Sequence, residues 1–352
     1  MTADPEFLIE GPDRYDPCRL SSDPLSTVLE AVRLKGAIYF LADLARPWVA
    51  EAPRASVLAP LIMPGVQHLI EYHVVTRGEL WGGLPGEKPV KVGAGDVIIF
   101  PQGDAHVLSS APGMRQPPDL AMFARKAGDS LPLRIGGAGP DAGETQVVCG
   151  FLGCDARPFN PLLATLPRLL HVRHSAHKPN AALHMLVELA LAESRGRGSG
   201  SAAMLARMSE LLFVESVRNY LRELTPEDSG WLAGLRDPLV GRALAELHAQ
   251  PRRAWTLDGL ARASSTSRSV LAERFAHYVG QPPMQYLARW RMQLAASALL
   301  EGNPTVADVA TRVGYGSEAA FSRAFKKQVG VSPAAWRESN GQPAAGASPR
   351  KP

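Results

Sequence analysis

Cysteine is scarce in this chain. Among 352 residues there are three, Cys18, Cys149 and Cys154. An odd, low count argues against the disulfide framework of a small secreted domain. Long apolar runs are missing too, and nothing approaches the ~20 residues that span a bilayer. Met1 to Arg19 is polar and acidic, without the apolar segment of a signal peptide. The Gly-rich stretch Gly136–Gly143 is too irregular for a phosphate cradle. These absences predict a soluble, cytoplasmic protein with no membrane partner.

Hydrophobic residues make up 45% of the chain, enough for folded cores. The length exceeds one ordinary core and predicts at least two domains. Charge is uneven along it. Residues 1–235 carry 22 Lys and Arg against 26 Asp and Glu, whereas residues 236–340 carry 14 against 8. A basic C-terminal segment suits phosphate binding.

That basic segment holds a repeat. Ser267, Leu271, Phe275, Gly280 and Pro283 recur 50 residues later as Ser317, Phe321, Phe325, Gly330 and Pro333. Each copy reads as a short helix, a tight turn and a longer helix: Leu257–Ala263, Ser264–Ser267 and Arg268–Tyr278 first, then Val306–Val313, Gly314–Gly316 and Ser317–Val329. Phe275 and Phe325 fall on inward faces. Pro283–Leu300 reads as a helix joining the copies. Two such units on one link are expected to enter successive major grooves about 34 Å apart.

The rest divides by texture. Residues 1–20 read as a loose arm. Asp23-Pro24 opens a capped helix that Gly36 is expected to end. From Ala37 to about Gly153, runs such as Tyr72–Val75, Leu80–Trp81, Val90–Val92, Val97–Phe100 and Val147–Leu152 alternate with Gly and Pro turns, predicting an antiparallel barrel or sandwich. Pro179–Ser194 and Ala202–Leu224 read as amphipathic helices around a flexible Arg195–Ser201 loop, the second with Leu205, Met208, Leu212, Val217 and Leu221 near one face.

The run from Gly314 to Pro333, with Trp290-Arg-Met-Gln-Leu-Ala295, resembles the signature of the AraC/XylS family of bacterial transcription regulators. The resemblance implies a domain with two helix-turn-helix units attached to one that senses or dimerises. It places Ser267, Arg268, Ser269 and Ala272 of the first unit, and Ser317, Glu318, Ala319 and Arg323 of the second, toward base edges. Lys326 and Lys327 are better placed for phosphate. Some members have Arg where this chain has Glu273.

Gly95 to His106 has the form G-x5-P-x-G-x2-H and resembles the second motif of cupin barrels. Glu71 and Gly78 match part of the first, but Gly65 and Gln67 stand where its paired histidines belong. Asp23–Leu34 also resembles the start of the cupin-type sensor domain of AraC-like regulators. A metal through His68, Glu71, His73 and His106 ranks below a small-molecule pocket lined by Tyr72, Val74, Trp81 and His106. Cys149 and Cys154 read as small buried hydrophobes, with a thiol sensor or zinc pair as the minority reading.

The expected fold class is therefore multidomain α+β: a cupin-like β-barrel with helices, then an all-α domain with two helix-turn-helix units. The expected division is 1–20 arm, 21–178 sensor, 179–227 helical dimerisation and linker region, 228–338 DNA-binding domain and 339–352 tail. The expected function is sequence-specific regulation of transcription, not enzymatic and without a cofactor, with activation favoured. Expected partners are double-stranded DNA, a small-molecule effector, a second copy of the chain and RNA polymerase. The competing readings are a metal-dependent cupin enzyme fused to a DNA-binding domain, and a regulator whose barrel only dimerises.

Overall fold

The computed structural model describes residues 23–124, 131–136, 143–174, 181–196, 198–225 and 227–340. The arm, the tail beyond Asn340, most of the Gly136–Gly143 stretch, Cys18 and Pro179 lie outside the described residues, while Ser339 and Asn340, expected at the start of the tail, close the last helix.

Helix α1 (Pro24–Ala31) begins as expected, with the Asp23 carboxylate accepting from the Leu25 and Ser26 amides. It ends at Val32, not at Gly36, because Arg33 adopts a positive φ of 49° and turns the chain. Gly36 lies in strand β1 (Lys35–Leu44), where a Cβ would stand 2.6 Å from the Ala206 carbonyl oxygen. Glycine is needed there for close packing against a helix, not for a helix stop.

The strand region continues with β2 (Val49–Ala52), helix α2 (Ala55–Ile62), β3 (His68–Arg77), β4 (Glu79–Gly83), β5 (Val90–Gly93), β6 (Val97–Phe100), β7 (His106–Ser109), a 3-10 turn (Leu120–Phe123), β8 (Leu133–Gly136), β9 (Thr145–Cys154) and β10 (Leu170–Val172). Two sheets form, in the orders β10-β6-β3-β9-β1-β8 and β2-β7-β4-β5. The larger is mixed, since β8 runs parallel to β1. The expectation of a purely antiparallel arrangement fails at that edge, and α2 interrupts a stretch read as strands alone.

Alternation along β3 assigns its side chains to two layers. Ile70, Tyr72 and Val74 join the core beneath helices α3 (Ala181–Gly196) and α4 (Ser201–Glu223). Leu69, His73 and Val75 face between the sheets. On α4, Leu205, Met208, Leu212 and Val217 are buried, with Leu221 packed at their edge. Because α3 runs through Gly196, the loop expected over Arg195–Ser201 is shorter than read.

The C-terminal part is all helical: α5 (Trp231–Arg236), α6 (Pro238–Ala249), α7 (Leu257–Ala263), α8 (Arg268–Val279), α9 (Pro283–Leu300), α10 (Val306–Arg312), α11 (Glu318–Val329) and α12 (Pro333–Asn340). The repeated glycines close the longer helices: Gly280 and Gly330 are C-caps at φ 72° and 92°, where a Cβ would be strained.

Two cores serve these helices. One joins the helix-covered face of the larger sheet, α1 and α5 to α8, and reaches Trp290 of α9. The other gathers Met292, Leu299, Val309, Phe321, Phe325 and Trp336 around the far half of α9.

Candidate nucleic-acid interface and sensor cavity

Helices α7 and α8 form one helix-turn-helix, α10 and α11 the other. Their N-termini are capped alike. Ser267 accepts from the Val270 amide at 3.3 Å and Ser317 from the Ala320 amide at 3.2 Å. Both serines are thus helix caps at the ends expected to meet DNA. Arg268, Ser269, Glu318, Ala319 and Arg323 are exposed and Ala272 is half-buried.

The two units differ in which cations are free. Arg268 is paired with Asp258 of α7 at 3.0 Å, so a base contact would have to draw it from that partner. Arg274 is bound to Asp237, the cap of α6. Arg323 has no ion pair or hydrogen bond among the described residues. Lys326 and Lys327 lie in the last turn of α11, where cations suit the helix dipole. Lys327 borders a cleft of about 540 Å³ between α9, α11 and the Pro158-Phe159 segment.

The sensor side contains a second cavity, of about 160 Å³, between the sheets. Phe40, Trp48, Leu108, Phe123 and Phe151 form much of its wall, and His73, His106 and Cys149 border it. Of the four residues expected to line a pocket, only His106 does. Tyr72 and Val74 point to the opposite face of the sheet, where the Tyr72 hydroxyl meets Ser209 Oγ of α4 at 2.6 Å. Trp81 lies on a separate surface depression with Leu84 and Arg115. The wall residues on β9 were within reach of the sequence, since Val147, Cys149 and Phe151 alternate inside a run already read as a strand.

The four residues weighed for metal do not assemble as a set. His68 bonds the Pro101 carbonyl through Nε2 at 2.7 Å. His73 and His106 share a direct Nε2 to Nε2 hydrogen bond of 2.8 Å, and Glu71 Oε2 stands 3.9 Å from His106 Nε2. Among the described residues, no three His, Cys, Asp or Glu side chains form a metal-holding group. Burial pushes the Glu71 carboxyl up to about 8 and His106 down to about 4. Burial, and then the His106 neighbour, hold His73 well below its usual value. Near neutral pH, Glu71 and His106 therefore face each other as uncharged groups, not as an ion pair.

Cys149 and Cys154 sit five apart on β9 and face opposite ways, Cys149 to the cavity and Cys154 to the helix-covered core. They cannot form one metal pair. Burial raises both thiols to about 12, which suppresses thiolate reactivity.

The sensor part and the first unit are joined by a buried hydrogen-bond chain. Trp231 Nε1 donates to the Tyr286 oxygen at 2.8 Å, and that hydroxyl lies 2.7 Å from His248 Nε2. His248 Nδ1 lies 2.5 Å from Thr27 Oγ1, whose proton goes to the Pro24 carbonyl. Each donor has one acceptor only if His248 is neutral, and burial holds it down to about 3. Nearby, Gln293 on α9 accepts from the Phe159 amide at 3.0 Å, donates to the Ala31 carbonyl at 3.3 Å, and is joined there by Ser297.

The family model for cupins matches residues 23–222 and that for a helix-turn-helix domain matches residues 260–339. An AraC-like transcription regulator of Streptomyces lividans is 33% identical over 320 residues, 90% of this chain and 98% of that protein. The chain belongs to the AraC-like transcription regulators. The regulator AlkR of Acinetobacter baylyi is 27% identical over 322 residues, 90% of this chain and 99% of AlkR. Among solved structures, the DNA-binding domain of AdpA in complex with a target DNA is 31% identical, with a TM-score of 0.28, covering 29% of this chain and 92% of that one. Fatty-acid-bound ToxT from Vibrio cholerae is 12% identical, with a TM-score of 0.32, covering 86% and 94%. As an AraC-like regulator, the chain pairs a cupin-type domain with a DNA-binding domain of two helix-turn-helix units. Among the described residues, no helix is long and apolar enough to cross a membrane.

Proposed function

We propose that this AraC-like regulator is a cytoplasmic, non-enzymatic switch that reads two adjacent DNA half-sites through α8 and α11 while a small molecule in the sheet cavity sets its affinity. The observation that carries the reading is α9, an unbroken 18-residue helix that fixes one reading unit to the other. Arg323 is its leading base reader, because its guanidinium is exposed and uncommitted. Arg268, Ser269, Ala272, Glu318 and Ala319 support it. Lys326 and Lys327 serve phosphate. Ser267 and Ser317 set the helix ends; the Ser317 hydroxyl can still donate its proton, while that of Ser267 is shared with the Ser269 hydroxyl at 3.2 Å. A ligand acts only by binding the DNA-competent and DNA-incompetent arrangements with different affinity.

The second copy of the chain docks on the α3–α4 hairpin in this reading. Met185 and Leu189 on α3, and Met204 and Leu211 on α4, are large apolar side chains left exposed. Leu189→Glu with Leu211→Glu is expected to give a monomer in sedimentation. Contact with RNA polymerase fits the same reading, as does activation.

Footprinting of the purified protein on the DNA beside its own gene, at fixed salt, tests the reading. Two protected major grooves per chain, resistant to excess random DNA, are expected. Salt-sensitive binding with no footprint, on a genomic library as well as on this DNA, would overturn it.

A further inference from the structure

The hydrogen bonds around the sheet cavity have a direction fixed by chemistry. His106 Nδ1 lies 3.2 Å from the Asp104 carbonyl oxygen, and a carbonyl can only accept, so Nδ1 carries the proton. A second proton on that ring would bring an unpaired charge to an apolar wall. His106 Nε2 is therefore an acceptor, and His73 Nε2, 2.8 Å away, must be the donor. With its one proton committed, His73 has a lone pair on Nδ1. That atom is buried without a partner, as is Glu71 Oε1. A buried acceptor without a donor is destabilising, because it has given up its bond to water and gained none in return.

His73 borders a cavity of about 160 Å³ whose walls are otherwise mostly apolar. An apolar void of roughly 150 Å³ admits a molecule the size of benzene. Among the described residues of the wall the one carboxylate, Glu51, is held by Arg115 through two bonds of 2.8 and 2.7 Å. Among the described residues that line it, an anion entering would find no free cation. An ammonium ion would have one acceptor at His73 for three protons.

We propose that this cavity binds a compact, uncharged molecule of about benzene size that carries one hydroxyl or N–H group and donates it to His73. The proposal rests on reading the cavity as the effector site and adds the ligand class. The molecule's apolar body packs against Phe40, Leu108 and Phe123, and its single polar group completes the one hydrogen bond that the imidazole pair lacks.

The test compares phenol, toluene, benzoate and benzylamine by thermal shift and calorimetry on the full chain. Phenol should bind saturably and raise Tm. Toluene should bind about tenfold more weakly, and benzoate and benzylamine should give no shift at equal concentration. His73→Leu should reduce phenol to the level of toluene, and His73→Gln, whose amide oxygen still accepts, should restore part of the preference. Failure of phenol to bind, equal binding of either ion, or an undiminished phenol preference in His73→Leu would overturn the proposal. If His73→Leu does not fold, the His73→Gln and four-probe results decide it. A footprint unchanged by saturating phenol would remove the effector role from the cavity and leave the ligand class standing.

Discussion

In the first helix-turn-helix unit, Phe275 packs edge-on against Tyr286 with ring centres 5.8 Å apart, and Tyr286 bonds His248, which bonds Thr27 of the sensor's first helix. In the second, Phe325 packs against Phe321 and Trp336 at 5.5 and 6.2 Å, within a core that includes no described residue of the sensor. The two phenylalanines occupy the same place in the repeat. One is anchored in the sensor's core and the other only in its own unit. A repeated motif thus specifies local shape and leaves coupling to be set by neighbours outside it. The first unit is placed to feel the sensor directly, and the second to feel it through α9.

The largest expected break in that comparison comes from truncating the paired aromatics. Phe275→Ala and Phe325→Ala should each cost about 3–5 kcal/mol. The first should lower the melting of sensor and first unit together. The second should unfold α10 to α12 and leave the sensor transition in place. Calorimetry and hydrogen exchange read the difference, and two variants that shift the same transition equally would dissolve the distinction.

Acid should separate the units next. No histidine follows His277 in the chain. His248 titrates near 6.5 when unfolded and about 3 when folded, so below pH 6.5 the unfolded chain takes up a proton that the native state refuses. Stability is lost from about pH 6.5 downward, at up to about 1.4 kcal/mol per pH unit per group. His106 acts in the same direction down to about 4, and His73 shares its sign. Glu71 opposes them: its folded value near 8 adds stability as pH falls from 8 to 4.5. Three groups against one predict a net loss confined to the sensor and first unit, and Glu71→Gln should steepen it. Thermal melts from pH 8 to 4.5 measure this, and a flat profile for that transition would contradict it.

A finer contrast lies in the arginines. Arg323→Ala should weaken binding to the operator by about 1–3 kcal/mol while sparing weak binding to random DNA. Arg268→Ala should cost less, because Arg268 must first leave Asp258. Titration of both variants on cognate and random sequences checks the order. Equal loss on every sequence would make Arg323 a phosphate contact.

Much of this was legible in the chain. The bounds of α9 are those of the Pro283–Leu300 helix read between the two copies, and the inward faces of α8 and α11 followed from Phe275 and Phe325 at helical spacing. The cavity wall was harder. Strand β3 is covered on both sides, so Tyr72 and Val74 are as buried as Val75, and hydropathy cannot show which set faces the cavity. The parallel β1–β8 pair was hidden for a related reason, since partner choice depends on a contact between residues more than ninety apart. Gly36 misled because the residue that stops helices also lets one pack closely on a strand.

The Gln293 amide has a mechanical consequence. It fastens both Ala31 and Phe159 to α9 near the middle of that helix, with one reading unit beyond each end. Eighteen residues span about 27 Å. The first half of this beam is also packed into the sensor's core through Tyr286, Leu287 and Trp290, so it behaves as a cantilever clamped on one side. A tilt of about 10° at the clamp carries the free end, about 10 Å beyond Gln293, roughly 2 Å. Small rotations at the sensor would therefore carry the first reading head along and swing the second, changing the spacing that the two present to DNA.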